Sequence, residues 1–163
     1  MWHRQGLGEV RKHMKNIRKI AALAALWTAA SAAAPVDLVQ TLSVDVSALR
    51  SAKGNLIICV TRLPDHFPDC TGDPDRRHYT VNAAQTQAKG MTITDLPPGT
   101  YAIALIHDEN GNHKLDTFAG IPREGVAFSR NPPIRFGAPT FNSARFSVAG
   151  APVEQDLKMK YFL

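Results

Sequence analysis

Apolar residues in this chain come in short runs, and the breaks between runs carry proline, glycine or asparagine. That pattern constrains the fold more than any other feature. A helix needs a sustained 3.6-residue period to bury a stripe, whereas a strand buries one face with strict alternation over only a few residues. The stretch TLSVDVSAL, from Thr41 to Leu49, sets Leu42, Val44 and Val46 against Thr41, Ser43 and Asp45, and so reads as a half-buried strand. NLIICVTR, beginning at Asn55, is continuously apolar at its centre, the mark of a strand covered on both faces. HYTVNA and GMTITDL follow, the latter with Met91, Ile93 and Leu96 directed to one side. Pro97-Pro98-Gly99 cannot continue a ladder and turns the chain. The next run, TYAIALIH, places Tyr101, Ile103 and Leu105 on one face and Ala102, Ala104 and Ile106 on the other, as expected of a central strand.

Beyond Asp116 the chain is rich in glycine and proline, which predicts a long compact connection with one short strand at Val126 to Phe128. SARFSVAG and EQDLKMKYFL supply the last two strands. There is no long helical period, no crossover helix and no internal repeat. The expected fold is all-β: an antiparallel Greek-key β-sandwich of seven or eight strands, immunoglobulin-like or transthyretin-like, with a closed barrel as the alternative.

The formal net charge of +5 suggests an acidic partner until it is divided along the chain. Arg4, Arg11, Lys12, Lys15, Arg18 and Lys19 stand against the single acid Glu9 in the first 32 residues, and the remainder carries 13 bases and 13 acids. The neutral remainder has no footprint for nucleic acid. In the basic stretch, Lys15, Arg18 and Lys19 precede an alanine-rich apolar run from Ile20 to about Ala30 and an Ala30-Ser31-Ala32 triplet. This order is that of a cleavable secretory leader, while a membrane anchor would need roughly 20 mostly apolar residues. Residues 1–32 are therefore expected to be an N-terminal extension and signal peptide, starting at Met1 or Met14, and residues 33–163 a single exported domain. No transmembrane segment is expected after leader cleavage, and the destination is the periplasm or the exterior.

Export bears on Cys59 and Cys70, the only two cysteines. An oxidising compartment favours a disulfide between them, and closing so short a loop stabilises by about 3 kcal/mol if unstrained. A buried free Cys59 is the alternative.

HDENGNHKLD, from His107 to Asp116, raises the question of chemistry. A hard cation such as calcium takes six to eight oxygens, and a loop with acids or amides at its first, third and fifth positions can wrap them about one point. Asp108, Asn110 and Asn112 have that spacing, the Lys114 carbonyl would follow, and Asp116 lies at position nine. His113 stands where the sharp turn usually has glycine, and Ala119 where a bidentate glutamate would sit, so Glu124 would have to fold back. The same residues could equally tie a turn to its own backbone, since Asp and Asn side chains accept amide hydrogen bonds two residues ahead. Both readings stay open at the level of sequence.

Other constellations are weaker. His66, His78, His107 and His113 lack the spacing of a zinc or copper site and read as exposed loop histidines. No nucleophile elbow occurs. Asp108 and Glu124 could form the acid pair of a hydrolase, although sequence does not set their separation.

Three segments in order, LPPGTYAIALIHDENGNHKLD, GIPREGVAFS and FGAPTFNSARFSV, resemble the bacterial exported-protein family catalogued as domain of unknown function 2141. The resemblance runs from about Leu42 to Tyr161 and implies a periplasmic or extracellular β-sandwich with no established activity. Its motif positions fall here on Pro98, Gly99, Tyr101, Asp108, Asn110, Asn112, Leu115, Asp116, Gly120, Pro122, Glu124, Gly125, Ser129, Pro139 and Phe141. His113 departs from the family's small turn residue, and the Pro64 to Arg77 loop is longer than its usual link. The expectation is a non-enzymatic exported binding or structural module with a candidate calcium loop at 108–116. A hydrolase acting through Asp108 and Glu124 is the alternative.

Overall fold

A computed structural model of the chain describes residues 40–163, so the expected leader lies outside the described residues. The strands are β1 (Gln40–Ser47), β2 (Asn55–Thr61), β3 (Arg77–Asn82), β4 (Met91–Leu96), β5 (Gly99–Asp108), β6 (Thr117–Phe118), β7 (Ile121–Pro122), β8 (Gly125–Phe128), β9 (Phe146–Val148) and β10 (Val153–Lys158). Two short helices, α1 (Ala83–Lys89) and α2 (Phe141–Ala144), interrupt the series. The architecture is mostly β, as expected, and it does not close into a barrel. One sheet has the order β10-β1-β4; the other runs β3-β2-β5-β8, with β9 also paired to β5.

The expected patterns explain the layers. Leu42, Val44 and Val46 of β1 join Leu56, Ile58 and Val60 of β2 and Tyr101, Ile103 and Leu105 of β5 in one core to which both sheets contribute. Each such aliphatic side chain contributes about 1.5–3 kcal/mol on full burial. The opposite face of β2 and β5 carries Cys59, Ala102 and Ala104, which pack with Val126, Phe128, Phe141 and Ala144 in a second cluster. The continuous apolar run of β2 and the double alternation of β5 therefore have the same cause: both strands are covered twice. In β4, Met91 and Ile93 share a parity that Leu96 lacks, yet Leu96 is fully buried. A register shift against β1 and a positive φ of 62° at Asp95 turn Leu96 inward.

Three expectations need correction. Pairing is not antiparallel throughout, because β1 and β10 run parallel, with Leu42 opposite Val153 and Val46 opposite Leu157. Alternation reports which face a side chain takes but not strand direction, and no hairpin joins the first strand to the last. The strand count among described residues exceeds seven or eight, chiefly through the two-residue ladder of β6 and β7. Finally, AAQTQAK forms α1, too short to show a period but bounded by recognisable signals. The Asn82 side chain caps it by accepting from the Gln85 amide at 3.1 Å, and the Gly90 amide closes it on the Thr86 carbonyl at 2.8 Å.

The Pro64 to Arg77 loop is anchored rather than loose. Cys70 is disulfide-bonded to Cys59 on β2. Phe67 packs its ring against Phe128 and Phe141 at centroid distances of 5.8 and 6.0 Å. Asp73 is buried and accepts hydrogen bonds from the Thr61 hydroxyl and, at 2.8 Å, from the Asp75 amide.

Candidate functional site: the acidic rim

The start of β2, the end of β5 and the entry to β8 meet at one end of the five-stranded sheet. Asp108 is the last residue of β5, and β5 pairs with β8 so that His107 lies opposite Gly125. The residue before β8, Glu124, is thereby brought beside Asp108. The β6–β7 hairpin does the same for Asp116: its ladder pairs Thr117 with Pro122, and below it the Arg123 amide donates to the Asp116 carbonyl at 2.9 Å.

Within the rim Asp108, Asn110, Asn112 and Asp116 are joined by hydrogen bonds, but the carboxylate oxygens of Asp108, Asp116 and Glu124 do not all come within 4.8 Å of one another. The Asp108 carboxylate, 0% exposed, accepts from the amides of Gly111 at 2.8 Å, Asn112 at 3.1 Å and His113 at 2.9 Å. Asn110 Oδ1 accepts from the Asn112 amide and Asn112 Oδ1 from the Lys114 amide, at 3.0 and 3.1 Å. Their amide Nδ2 groups both donate to the Asp116 carboxylate, at 2.7 Å from Asn110 and 3.1 Å from Asn112. These bonds hold the Asp116 carboxyl below its ordinary pKa, that of Asn112 first and that of Asn110 next. His113 takes the left-handed turn position, with a φ of 61°. The loop thus ties off its own backbone in the manner of a polar turn.

Glu124 is the exception in this satisfied loop. It is 4% exposed; its Oε2 accepts from the Asp116 amide at 3.0 Å, and its Oε1 makes no hydrogen bond of normal length and angle, although the Glu109 amide is near enough to act on the carboxyl. Burial raises its pKa most; the Asp116 and Glu109 amides oppose that rise, while the charges of Asp108 and Asp116 add to it.

Contacts from outside the motif also reach the rim. Arg50, just past β1, donates through Nε and Nη2 to Glu109 Oε2 at 2.9 and 2.5 Å, and through Nη2 to the Arg123 carbonyl at 2.9 Å. Its guanidinium lies 4.5 Å from the centroid of the Tyr161 ring. The hydrogen bond from Arg50, with a smaller one from Ser51, holds the Glu109 carboxyl below its usual range against the effect of burial. His107 is a correction: grouped with the exposed histidines by sequence, it is 0% exposed. Its Nε2 lies 2.8 Å from the Lys53 carbonyl, which can only accept, so Nε2 carries a proton. Its Nδ1 lies 2.7 Å from the Tyr161 hydroxyl. The signal was present in the alternation, because residue 107 continues the inward series of 101, 103 and 105.

The other motif positions serve structure. The Tyr101 hydroxyl donates to the Pro97 carbonyl at 2.8 Å, across the turn made by Pro98 and Gly99. Ser129 Oγ accepts from the Ile103 amide at 2.9 Å and donates to the Ala144 carbonyl at 2.6 Å, tying β5 to α2 where β8 has ended. Leu115 and Phe141 belong to the second core, Gly120 turns the β6–β7 hairpin with a φ of 78°, and Pro139 lies half-buried before α2. Away from the rim, Asp45, Glu154 and Asp156 form an exposed acidic trio whose carboxylate oxygens lie within 4.8 Å of one another. That trio depends on the parallel β1–β10 register, which aligns Asp45 with Asp156. Among the described residues no helix is long and apolar enough to cross a membrane.

The family model described as "Uncharacterized protein conserved in bacteria (DUF2141)" matches residues 44–156, more than two thirds of the chain. The chain belongs to this family. No curated protein and no solved structure matches it.

Proposed function

We propose that the protein is an exported, non-enzymatic binding or structural module whose functional surface is the rim formed by residues 107–124. One observation carries this reading: the Asp108 carboxylate is committed to three backbone amides. A hydrolytic acid or nucleophile must be free to exchange a proton or attack. A carboxylate filled by amides instead fixes the shape of a loop. Export is supported by the Cys59–Cys70 bond, a linkage that persists in oxidising compartments, and by the leader pattern in the sequence. The core shared by the two sheets supports a sandwich reading of the domain, with Greek-key connections.

The test is to express the whole chain in a bacterial host, fractionate the cells and screen the purified protein against ester and glycoside substrates. The expected result is a leader-processed protein in the periplasm or medium, with no titratable thiol and no turnover. Retention in the cytosol with two free thiols would overturn export. Turnover abolished by Asp108→Asn or Glu124→Gln would establish the hydrolase instead.

A further inference from the structure

We infer that the loop from Ser129 to Thr140, at the opposite end of β8 from the rim, docks the protein on an anionic lipid bilayer. Phe136 enters the interface, and Arg130, Arg135, Arg145 and Lys160 meet the headgroups. This surface is separate from the rim, and neither reading depends on the other.

The acids and bases of the domain balance in number but not in place. From Gly125 to Val153 there is no Asp or Glu, whereas Arg130, Arg135 and Arg145 all lie in this stretch and are exposed. Contacts gather the cations about one loop: Arg130 Nη1 donates to the Arg145 carbonyl at 3.4 Å, and Lys160 Nζ donates to the Pro132 carbonyl at 3.2 Å. The ion pairs among the described residues are Arg50–Glu109 and Arg62–Asp75, so none of these four is neutralised by a carboxylate. The next acids along the chain, Glu154 and Asp156, gather with Asp45, and Lys158, on the same face of β10 by alternation, offsets them. Cations without counter-charges complement an anionic surface, each strengthening attachment about fivefold.

The tip of the loop supplies the apolar half of the surface. Phe136 is 100% exposed, as no other large hydrophobic side chain among the described residues is. A β-carbon on the next residue, Gly137, would meet nothing within 4 Å, so the tip stands clear of the body. A lone apolar residue on a surface is ordinary, and exposure alone would carry nothing. Here the loop is anchored without it: Pro132 is buried and Ile134 packs on the second core cluster. At its base Arg130 and Asn131 both take the left-handed conformation, with φ of 63° and 49°, which is uncommon for residues with a side chain. Asn131 holds that turn, its Nδ2 donating to the Asp156 carbonyl at 2.6 Å and its Oδ1 accepting from the Lys158 amide at 2.8 Å. A clamped, proline-stiffened loop thus carries an aromatic ring out into solvent among cations. Such a convex tip offers no wall to a peptide, so the partner must surround the ring. A bilayer interface does so, taking up apolar side chains at the acyl boundary while basic ones stay with anionic headgroups.

The experiment is co-sedimentation of the full chain with vesicles of phosphatidylcholine, alone or mixed equally with phosphatidylglycerol. The expected result is binding to the mixed vesicles, half-maximal at about 1 mM lipid, and at least about tenfold weaker binding to phosphatidylcholine alone. Raising the salt from about 0.1 to 1 M, which shortens the screening length from roughly 10 to 3 Å, should release the protein. Phe136→Ala should weaken binding about tenfold and Arg135→Gln about fivefold. Phe136→Trp should retain it, and Phe118→Ala, which removes the 66% exposed ring of the β6–β7 hairpin, should change nothing. All these side chains are exposed, so melting temperatures should match wild type. The basic residues before position 33 are the same in every variant, so any attachment of their own appears equally in all. Absence of binding to the mixed vesicles overturns the inference, as does equal binding by wild type, Phe136→Ala and Arg135→Gln. Tighter binding to short single-stranded DNA than to the vesicles also overturns it, and makes the patch a nucleic-acid surface.

Discussion

The ring of Tyr161 occupies the space that a β-carbon on Gly125 would need: that atom would lie 2.4 Å from the ring's Cε1 and 2.9 Å from Met159 Cε. Residue 125 is therefore glycine for a packing reason, and the chain segment after β10 lies directly over the entry to β8. Gly125→Ala must displace the ring, and with it the hydroxyl that meets His107. Overpacking of this kind costs about 1–3 kcal/mol. Urea unfolding should show that loss, and an unchanged midpoint would mean that the ring has room to move.

Tyr161→Phe isolates the hydroxyl from the ring. The geometry gives a directed chain in which the Arg50 amide donates to Tyr161 at 3.2 Å, Tyr161 donates to His107 Nδ1, and His107 Nε2 donates to the Lys53 carbonyl. Losing the middle hydroxyl leaves a buried ring nitrogen without its partner, at a cost of about 1–3 kcal/mol. The comparison is Phe162→Ala, an exposed neighbour, expected to stay within about 0.5 kcal/mol. Equal effects from both would show that the hydroxyl chain adds nothing to stability.

Asp73 sets part of the acid limb of stability. Burial alone would raise its pKa, but the Thr61 hydroxyl and the Asp75 amide outweigh it, and the folded carboxyl titrates below its ordinary value. Its contribution is therefore full above the unfolded pKa of about 3.9 and is lost as pH falls through the lower folded value. Asp73→Asn should lose about 1.5–3 kcal/mol at neutral pH, and the gap to wild type should narrow below about pH 4. Unfolding curves taken from pH 7 down to 2 measure it, and a gap independent of pH would contradict this assignment.

The Cys59–Cys70 bond closes a loop with a sequence separation of 11. Replacing both with serine should lower stability by about 2–4 kcal/mol. Chemical denaturation of the double variant should match that of reduced wild type. If the two differ by more than about 1 kcal/mol, the buried serine hydroxyls rather than the lost cross-link dominate.

The part of the rim beyond Asp116 was readable in advance only as composition. The Gly- and Pro-rich stretch after Asp116 signalled a connection, and its content, a β6–β7 hairpin that folds Glu124 back onto the Asp116 amide, depends on contacts eight residues apart. Arg50, the neighbouring His107 and Glu109, and Tyr161 likewise lie in three separate segments, and no local spacing relates the three.

What the sequence by itself determined is the set of faces. Alternation in β1 and β5, the continuous run in β2 and the Pro97-Pro98-Gly99 break assigned side chains to core or solvent, because burial of apolar area acts residue by residue. Tertiary structure alone decided strand direction and the meeting of distant polar groups. The β1–β10 pair is parallel, His107 meets the Tyr161 hydroxyl and the Lys53 carbonyl, and Glu124 is folded back onto the Asp116 amide, because hydrogen-bond partners depend on which segments close over one another.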